Sequence, residues 1–548
     1  MKRLAYPTLL AAFVLCILLP MAFHGLWIPD ESRNAQISQA MLQSGDWVSP
    51  HLLGLRYFEK PTGGYWLIAA SQAVFGQNLF GVRFASALAT ALSTLLVILV
   101  ARRLWNDPRR TWLAGLLYMS FGLIAGQAGY ANLDPQFTLC VNLSLAALWF
   151  AFDAATPRER FAAWALLGAA SALGLMTKGF LALLLPVIVG LPYALLRRRL
   201  GDLLRHGPLA VLVAVLVCAP WALMIQTREP DFWNFFFWHE HIRRFAGEDA
   251  QHTRPFWFFV PLLFASALPW AVLVLPALRD GFKGWRDAKG LFLLLWFIMP
   301  FLFFSLAKGK LPTYIMPCFA PLALLMADSL ARALEQRKAI ALRLNGALNL
   351  ALGSGALAGL LVMQARNPQY HDELPSVLMI ALVCVAWIIT GLLQLLRPNR
   401  FWAAPAFAAW LLVALVPNAL PNRMVDSKMP DQFIAEHLNE LKGARSLLSN
   451  DLGAATALAW RTGRSDVTLF NTQGELKYGL GYPEGQGRSI APGDIHAWID
   501  RARAEGSIGV VMRVNSASDE AELAMLPRDA ISYRQNHIVV LLIPRAAP

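Results

Sequence analysis

Residues 8–26 form the stretch TLLAAFVLCILLPMAFHGL, and residues 27–36 continue it as WIPDESRNAQ. The first part contains no Asp, Glu, Lys or Arg, and it has the ~20 residues with which a helix crosses the hydrocarbon core of a membrane. Lys2 and Arg3 precede it, but no small-x-small cleavage site follows, so we interpret it as a retained span and not as a signal peptide. The second part places two carboxylates and a guanidinium directly after this span.

The whole chain has the composition of an integral membrane protein. Of its 548 residues, 57% are hydrophobic and 15% are charged, and the mean hydropathy is +0.46, which is too apolar for a soluble globule of this size. Similar uncharged runs recur, and we count about thirteen, near residues 8–26, 84–101, 111–129, 135–152, 161–177, 179–196, 208–225, 256–278, 290–307, 312–330, 345–364, 375–396 and 401–420. They predict an all-α polytopic membrane domain over residues 1–420.

Basic residues predict which ends of the spans face the cytoplasm. They crowd alternate short loops, which the positive-inside rule places on the cytoplasmic side. These residues are Lys2, Arg3, Arg102, Arg103, Arg109, Arg110, Arg158, Arg160, Arg197, Arg198, Arg199, Arg205, Lys283, Arg286, Arg337, Lys338, Arg343, Arg397 and Arg400. An odd number of spans then places the C-terminal part of the chain on the opposite, extracytoplasmic side.

The composition changes near Pro421, and residues 421–548 contain no apolar run of membrane length. Sequence patterns predict strands at 446–449, 467–470, 508–514 and 537–543, and helices at 454–460 and 494–504. We therefore expect a small α/β domain on the extracytoplasmic face. It lacks a Gly-rich loop after a strand, and its Asp451 and Glu475 have no evident catalytic company in the sequence.

The extracytoplasmic loops carry more charge than topology requires. Two of them, residues 27–78 and 226–254, are long. Shorter ones hold further charges: Asp134, Lys178, Lys308 and Lys310. Snorkelling explains any single lysine there, and helix capping explains Asp30. Several carboxylates beside apolar helices, however, need cationic partners or a chemical role, because an unpaired charge in that position is costly.

Both long loops contain predicted interfacial helices. In the first loop, apolar residues at helical spacing predict a helix from about Asp30 to Leu42, with Gly45 as its stop. In the second loop, the aromatic residues of segment 231–241 suit a helix in the membrane interface with its apolar face toward lipid. We expect these loops to line a cavity where the head group of an amphiphile meets polar side chains while its tail stays in lipid.

Glycosyl transfer from a lipid-linked sugar phosphate would use these charges. The leaving phosphate requires cations, and the candidates are Arg33, Lys60, Arg244 and Lys310. A carboxylate must orient or activate groups at the sugar, and Asp30 and Asp134 are the best candidates. No nucleotide-binding signature is present, so we expect neither a nucleotide cofactor nor a nucleic-acid partner.

A divalent metal such as zinc is a further expectation for this face. Glu59 with His239 or His241 offers ligand types that zinc and manganese accept. On a helix, however, the side chains of His239 and His241 point apart. Interfacial histidines without a metal are the simpler interpretation from these residues alone.

Longer motifs resemble segments of one enzyme family. They are DESR at 30–33, SGDWV at 44–48, HLLGLRYFEKP at 51–61, GYW at 64–66, MTKGF at 176–180, EHIRRF at 240–245, KGKLPTY at 308–314 and TQGELKYGL at 472–480. Over its full length the chain resembles integral-membrane glycosyltransferases of the GT-C type, which include the protein O-mannosyltransferases. Most specifically, it resembles the bacterial transferases that attach aminoarabinose to lipid A.

The resemblance implies an inner-membrane enzyme with a periplasmic site. Such an enzyme transfers 4-amino-4-deoxy-L-arabinose from undecaprenyl phosphate to a lipid A phosphate, with inversion, and confers resistance to polymyxin and cationic antimicrobial peptides. The family pattern has an aromatic residue where this chain has Asn34 and an acid where it has Gln36, which concerns packing at the cavity and not the reaction.

The resemblance also implies a role for individual residues. The implied catalytic residues are Asp30, Arg33 and Asp134. The implied substrate-binding residues are Arg56, Tyr57, Lys60, Lys178, Arg244, Lys308, Lys310 and Tyr314, and the implied metal ligands are Glu59 and His241. Because a phosphate oxyanion hardly needs a general base, we expect Asp30 and Asp134 to orient the sugar with its amine and to balance charge.

Three other interpretations stay open at this point. One is a GT-C transferase with a different polyprenyl-linked sugar or a protein acceptor. Another is a lipid-sugar flippase, against which the concentration of charge on one face argues, because alternating access favours a site at the middle of the membrane. The third is a sensor whose tail binds a partner.

Overall fold

The computed structural model describes residues 5–243 and 252–546. The helices before residue 420 are, in chain order, α1 (Ala5–Phe13), α2 (Asp30–Ser44), α3 (Gly63–Phe75), α4 (Leu79–Trp105), α5 (Pro108–Ser120), α6 (Gly122–Ala128), α7 (Asp134–Asp153), α8 (Pro157–Lys178), α9 (Leu181–Leu196), α10 (Leu200–Arg228), α11 (Phe259–Ser266), α12 (Val274–Lys283), α13 (Ala288–Leu306), α14 (Phe319–Glu335), α15 (Ile340–Arg366), α16 (Leu374–Leu396) and α17 (Ala404–Leu415). Each of the thirteen predicted apolar runs contains helix, so the polytopic α-helical domain is confirmed.

The number of uninterrupted spans is smaller than thirteen. Among the described residues, eight helices are long and apolar enough to cross a membrane, namely α4, α7, α8, α10, α13, α14 with the 3-10 turn before it, α15 and α16. A ninth span results if the pair Ala404–Asn418 and Asn422–Lys428, bent by 75°, is one element. The other predicted runs form helices that are short or interrupted. The sequence prediction counted them as full spans because average hydropathy does not report a turn inside an apolar run.

The break between α11 and α12 shows how such an interruption is stabilised. The carbonyl of Leu268 accepts a hydrogen bond from Gly122 N at 2.8 Å. The carbonyl of Pro269 accepts from Asn345 Nδ2 at 3.0 Å and from Asn349 Nδ2 at 2.9 Å. Neighbouring helices thus supply the hydrogen bonds that a broken helix cannot make for itself in a membrane.

Helix α2 confirms the predicted helix after the first span. It ends at Gly45, whose φ of 69° suits glycine. Pro29 precedes the helix and no side chain caps its first turn, so the interpretation of Asp30 as a helix cap is wrong. Nine residues of α2 are buried. The helix is therefore enclosed by protein, and Asn34 and Gln36 are buried with it.

Two short strands and α3 complete the first loop. Strands β1 (His51–Leu52) and β2 (Leu55–Arg56) form an antiparallel hairpin. Gly63 and Gly64, at the start of α3, face Met176 and Thr177 at the end of α8, where a Cβ would lie 2.8 and 3.2 Å from the nearest atoms of these residues. This close packing brings the segment before α3 to the extracytoplasmic end of α8.

The tail is the predicted α/β domain. Its strands are β3 (Ser446–Ser449), β4 (Val467–Phe470), β5 (Ser489–Ile490), β6 (Ile508–Arg513), β7 (Ile531–Gln535) and β8 (Ile538–Ile543), and its sheet order is β5-β4-β3-β6-β8-β7. The first four strands in this order are parallel, and β8 and β7 are antiparallel additions. The helices are α18 (Asn422–Lys428), α19 (Asp431–Glu436), α20 (Leu438–Gly443), α21 (Leu452–Thr462), α22 (Ile495–Glu505) and α23 (Ala517–Ala524).

The tail packs on the membrane domain through α21 and α2. Ser32 Oγ lies 2.8 Å from Thr456 Oγ1, and it also donates to Gly453 O at 3.3 Å. Apolar residues of both parts, such as Ile28 and Leu458, belong to one buried cluster. The tail is therefore joined to the first loop by a common core, and the segments that follow β3 and β4 contact α2.

Some aromatic residues of the second loop contact other parts of the protein, where the sequence predicted contact with lipid. A π-helix spans Asn234–Arg243. Phe232 and Phe236 are fully buried, and the ring of Phe232 packs against Phe58 at 5.3 Å between centroids. The prediction that this apolar face points to lipid is therefore wrong for Phe232 and Phe236, whose rings fill a cluster with the first loop and the tail, whereas Trp238 is 56% exposed.

Candidate active site

The first turn of α2 presents a charged group toward the tail domain. Arg33 Nη2 donates to Asp30 Oδ1 at 2.6 Å, one helical turn back. Arg33 Nη1 donates to Glu475 Oε1 at 2.5 Å. Glu475 lies in the 3-10 turn Gly474–Leu476, which follows strand β4. A residue of the tail therefore completes the surroundings of Arg33.

The segment before α3 adds three side chains to this group. Tyr57 OH donates to Glu475 Oε2 at 2.9 Å and lies 3.3 Å from Glu59 Oε2. Lys60 Nζ donates to the carbonyl of Glu59 at 2.8 Å. We call the six residues the Arg33 cluster: Asp30, Arg33, Tyr57, Glu59, Lys60 and Glu475.

The electrostatics of the Arg33 cluster favour a charged arginine, an ionised glutamate and a protonated tyrosine. Burial opposes the charge on Arg33, but Tyr57, Glu475 and Asp30 raise its pKa above the usual value. Burial also opposes the charge on Glu475, but Arg33, the hydrogen bond from Tyr57 and the charge of Lys60 lower its pKa. Burial raises the pKa of Tyr57 well above its usual value, so its hydroxyl stays a hydrogen-bond donor.

A second group lies where α7 begins and α8 ends. Lys178 donates to Asp134 in a close ion pair. Its Nζ lies 5.1 Å from the centre of the Tyr314 ring, in a cation–π contact. Asp30 also interacts electrostatically with Lys178, which relates this group to the Arg33 cluster. We call Asp134, Lys178 and Tyr314 the Lys178 cluster.

A buried ion pair fixes the start of α2. Arg83 donates to both oxygens of Glu31 at 2.7 Å, and both side chains are 0% exposed. Arg83 also donates to the carbonyls of Met21, His24 and Gly25, at 2.6, 2.8 and 2.5 Å. The pair therefore holds α2 against α4 and the end of the first span.

The same helix turn also holds the loop that carries Asp134. Glu31 Oε1 accepts from Ala131 N at 2.8 Å, and Asn34 Nδ2 donates to Ala131 O at 3.0 Å. Asp134 N in turn donates to Asn132 Oδ1 at 2.9 Å. These bonds set the position of the Lys178 cluster relative to the Arg33 cluster, and they give the side chain of Asn34 a positional role.

Arg56, which precedes Tyr57, binds carboxylates outside the Arg33 cluster. Its Nε donates to Glu229 at 2.6 Å and its Nη1 to Glu484 at 2.8 Å. The guanidinium also lies 4.2 Å from the centre of the Tyr482 ring. These contacts join the first loop, the second loop and the tail, and substrate binding by Arg56 stays a prediction.

Lys310 and Lys308 occupy the turn before the Pro312–Cys318 helix. Lys310 is 3% exposed, and its ammonium donates to the carbonyls of Arg254, at 3.0 Å, and Ala307. Arg254 N donates to Lys308 O at 3.2 Å. The described contacts of Lys310 thus tie the end of the second loop to this turn, and phosphate binding by Lys308 and Lys310 stays a prediction.

The structure does not test the predicted metal site, because the side chain of His241 lies outside the part that it describes. Glu59 lies in the Arg33 cluster. His241 belongs to the Asn234–Arg243 helix. Among the side chains that the structure describes, no three His, Cys, Asp or Glu residues gather as a ligand set. Arg244 lies outside the described residues. The metal and the role of Arg244 stay predictions.

Glu475 is the residue whose position the sequence did not indicate. Its motif, TQGELKYGL, resembles a segment of the family's sequences. The expectation that no candidate catalytic residue lies beside Glu475 is wrong, because Arg33 and Tyr57 contact it. Tyr65 is likewise fully buried, and burial raises its pKa, with the carboxylates of Glu475, Glu59 and Asp30 adding to this effect and Arg33 opposing it. Together the two clusters hold four carboxylates and three cations, an arrangement that can meet both an anionic phosphate and a cationic amine.

Two family models match parts of the sequence. The model of the dolichyl-phosphate-mannose-protein mannosyltransferase family matches residues 4–236. The model of the arabinosyl transferase ArnT C-terminal domain matches residues 425–542. Both the membrane domain and the tail thus have relatives among enzymes that are named as glycosyltransferases.

Relatives of similar length match the whole chain. It is 59% identical over 547 residues to the undecaprenyl phosphate-alpha-4-amino-4-deoxy-L-arabinose arabinosyl transferase of Pseudomonas aeruginosa, with 100% of both chains covered. It is 56% identical over 549 residues to transferase 2 of the same name from Pseudomonas fluorescens, with 100% of this chain and 94% of that one covered.

Solved structures share the fold. The crystal structure of ArnT from Cupriavidus metallidurans bound to undecaprenyl phosphate matches with a TM-score of 0.82 at 22% identity, covering 99% of this chain and 97% of that one. The oligosaccharyltransferase of Archaeoglobus fulgidus matches with a TM-score of 0.54 at 10% identity, covering 98% and 72%. The fold is therefore of the GT-C type.

Proposed function

The chain belongs to the family of undecaprenyl phosphate-alpha-4-amino-4-deoxy-L-arabinose arabinosyl transferases, and on that premise we propose that its two charged clusters transfer aminoarabinose to a phosphate group of lipid A. The chain is a multi-pass protein of the bacterial inner membrane and a glycosyltransferase that uses undecaprenyl phosphate-linked aminoarabinose. We propose two further points: that lipid A is the acceptor, and that each residue of the two clusters has the role given below.

The observation that carries the proposal is the surroundings of Arg33. Its guanidinium is held between Asp30 and Glu475, at 2.6 and 2.5 Å, beside Tyr57 and Lys60. The cluster lies at the extracytoplasmic ends of apolar helices, where a polyprenyl tail can stay in the membrane. A phosphate at this position meets a fixed guanidinium and an ammonium, both of which stabilise the charge that grows on a leaving phosphate.

The reaction exchanges one glycosyl–oxygen bond for another. An oxygen of the acceptor phosphate attacks the anomeric carbon of the aminoarabinose, and a new carbon–oxygen bond forms. The bond between that carbon and undecaprenyl phosphate breaks, and its electron pair leaves with undecaprenyl phosphate. Attack from the opposite face inverts the anomeric centre. No proton has to be removed, since the attacking oxygen is already an anion.

The carboxylates then have a binding role. The sugar amine is a cation at neutral pH, and Asp30, Glu475 and Asp134 offer it negative partners. Lys60 and Arg33 face the donor phosphate, and Lys178, which Asp134 and Tyr314 hold, is the third cation of the site. We expect Asp30→Asn to weaken donor binding and to lower transfer about tenfold or more. Near-normal transfer with unchanged donor affinity would contradict this role.

We propose separately that Glu59 and His241 bind a divalent metal ion. Carboxylate and imidazole are ligands that zinc accepts. No step of the transfer depends on it here. Metal analysis of the purified protein and of its Glu59→Gln variant tests it: metal bound by the first and lost from the second supports the site, and equal content contradicts it.

The acceptor distinguishes this function from its nearest rival. Purified protein is incubated with labelled undecaprenyl phosphate-aminoarabinose and either lipid A or a Ser/Thr peptide. We expect label on lipid A alone, and label on the peptide alone would favour a protein glycosyltransferase, which the match to the mannosyltransferase family makes the second candidate. Aminoarabinose on lipid A lowers the negative charge of the cell surface, which explains resistance to polymyxin and other cationic peptides.

A further inference from the structure

Two cytoplasmic connections meet at the membrane boundary. One follows α9 and contains Arg197 and Arg198, and the other links α12 to α13 and contains Trp285 and Arg286. Arg197 Nη1 donates to the carbonyl of Arg286 at 3.1 Å, so the two connections are in direct contact. We call Arg197, Arg198, Lys283, Trp285 and Arg286 the Arg197 surface.

Within the described residues, the positive charges of this surface, on Arg197, Arg198, Lys283 and Arg286, have no carboxylate at ion-pair distance. The neighbouring Asp287 accepts from the backbone amides of Lys289 and Gly290 at the start of α13. The other nearby acids have partners of their own: Asp202 pairs with Arg199, and Asp280 pairs with Arg279 and Arg332.

Two cytoplasmic arginines outside this surface do have carboxylate partners. Arg103 binds Asp153 at 2.9 Å, and Arg110 binds Asp107 at 2.5 Å. The topology of the protein requires positive charge on this face, but it does not require four neighbouring cations without a carboxylate. The free charges are therefore available to a ligand.

Arg198 adds an observation on the backbone. It has a φ of 54°, in the left-handed region that glycine adopts without strain. It lies just after α9, where Arg199 N donates to Ala194 O at 2.7 Å, a position at which helices commonly end in glycine. A cation is present where glycine would suit the backbone better, which indicates that the side chain has a use.

The rim of the surface suits the head-group layer of a bilayer. Leu195, Leu196 and Phe282 are 55%, 58% and 54% exposed, and Trp285 is 49% exposed. The guanidinium of Arg286 lies 5.9 Å from the centre of the Trp285 ring. Exposed aromatic and leucine side chains beside unpaired cations match a ligand with acyl chains and an anionic head group.

We infer that the Arg197 surface binds the phosphate of an anionic phospholipid of the cytoplasmic leaflet. The site lies on the membrane face opposite the proposed transfer site, so it is a lipid contact of the fold and not a donor or acceptor subsite. Arg197, Arg198 and Arg286 hold the phosphate, while Trp285 and Phe282 lie against the glycerol and acyl region. Because the attraction is electrostatic, it weakens as salt concentration rises.

The test uses the full-length protein in detergent and measures bound lipid by native mass spectrometry. The probes are phosphatidylglycerol and phosphatidylcholine, and the variants are Arg198→Gly and Arg286→Gln. We expect the natural chain to retain phosphatidylglycerol with a preference of about fivefold or more, and each variant to lose most of that preference. Arg198→Gly should keep its melting temperature, because glycine relieves the backbone at that position.

Arg103→Gln is the matched control, since Arg103 is cytoplasmic and exposed but already paired with Asp153 and Glu159. It should leave the preference within about twofold of the natural chain. Phosphatidylglycerol retained equally by the natural chain and by Arg198→Gly would overturn the inference. An equal loss in Arg103→Gln would do so too, because it would indicate a general effect of cytoplasmic charge.

Discussion

Arg33 receives one carboxylate from its own helix and one from the tail domain. The two partners bind different nitrogens of a planar group, and they therefore fix the plane of the guanidinium as well as its position. Asp30 follows from the sequence, because an acid and an arginine three residues apart share one face of a helix. Glu475 contributes the orientation, which under the proposed function would aim the donors of Arg33 at the phosphate of the donor lipid.

Replacement of Glu475 tests this contribution directly. In Glu475→Gln, Arg33 keeps its charge but loses one ionic partner, and Tyr57 loses an anionic acceptor. We expect transfer to fall about tenfold, equivalent to about 1.4 kcal/mol of transition-state stabilisation. Glu484→Gln is the control, because Glu484 is also a tail carboxylate paired with an arginine of the first loop. It should stay within about twofold of the natural chain. Equal losses in the two variants would contradict a specific role of Glu475.

The lowered pKa of Glu475 gives a pH dependence with a defined sign. The folded-state pKa lies below the ~4.3 of an unfolded glutamate, so ionised Glu475 stabilises the fold at every pH above that value. This contribution is lost as pH falls through the folded-state pKa. The difference in melting temperature between the natural chain and Glu475→Gln should therefore be independent of pH near neutrality, and it should shrink as the pH becomes acidic. A difference that widens on acidification would refute this assignment.

Arg83 supports α2 without facing the substrate. Removing it leaves Glu31 as a buried carboxylate without a cation, which costs about 3–5 kcal/mol in comparable pairs. We expect Arg83→Gln to lower the melting temperature strongly and to reduce transfer, because α2 carries Asp30 and Arg33. In the double variant Glu31→Gln with Arg83→Gln, the loss of stability should be smaller than the sum of the two single losses. Full additivity would show that the two residues act separately.

At the scale of elements, glycines set the distance between α15 and α16. A Cβ on Gly391 would lie 2.5 Å from Leu350 N and 2.9 Å from Gly346 O. Gly353 of α15 in turn faces α16, where a Cβ would lie 2.8 Å from Ile388 N. The backbones approach closely because no side chain separates them, which is how helices associate tightly inside a membrane.

Gly391→Ala tests this contact, with Gly355→Ala as its control. The first places a methyl group against backbone and should destabilise by about 1–3 kcal/mol. Gly355 lies on the partner helix α15, and no heavy atom of another element lies within 4 Å of its Cβ position. Alanine there should leave stability unchanged or raise it slightly, since alanine has a higher helix propensity than glycine. Thermal unfolding in detergent compares the two, and equal melting temperatures would contradict close packing at Gly391.

Elements with a clear pattern were predictable, and irregular ones were not. The apolar runs predicted every membrane helix region, and Gly45 predicted the end of α2. The edge strand β7 was missed because its residues are mostly exposed, and β5 because it has two residues. The breaks inside apolar runs depend on partners such as Asn345 and Asn349, which are distant in sequence.

For the whole molecule, the site is built from parts that are far apart in the chain. Arg33 and Glu475 are separated by 442 residues, and no local pattern indicates that they meet. The charged residues of the first loop were predictable because each carboxylate beside an apolar helix needs a partner. Their partners were not, because the packing of α21 on α2 decides where the turn after β4 lies.

The most direct test of the account is the mass of lipid A from cells with and without the chain. Cells that make the natural protein, supplied with the lipid-linked donor, should carry lipid A with added aminopentose. Cells that make Asp30→Asn, Arg33→Gln or Lys60→Met at the same level should carry little or none. Unmodified lipid A in the presence of the natural chain, or full modification by the Arg33→Gln variant, would contradict the claim that the Arg33 cluster transfers aminoarabinose to lipid A.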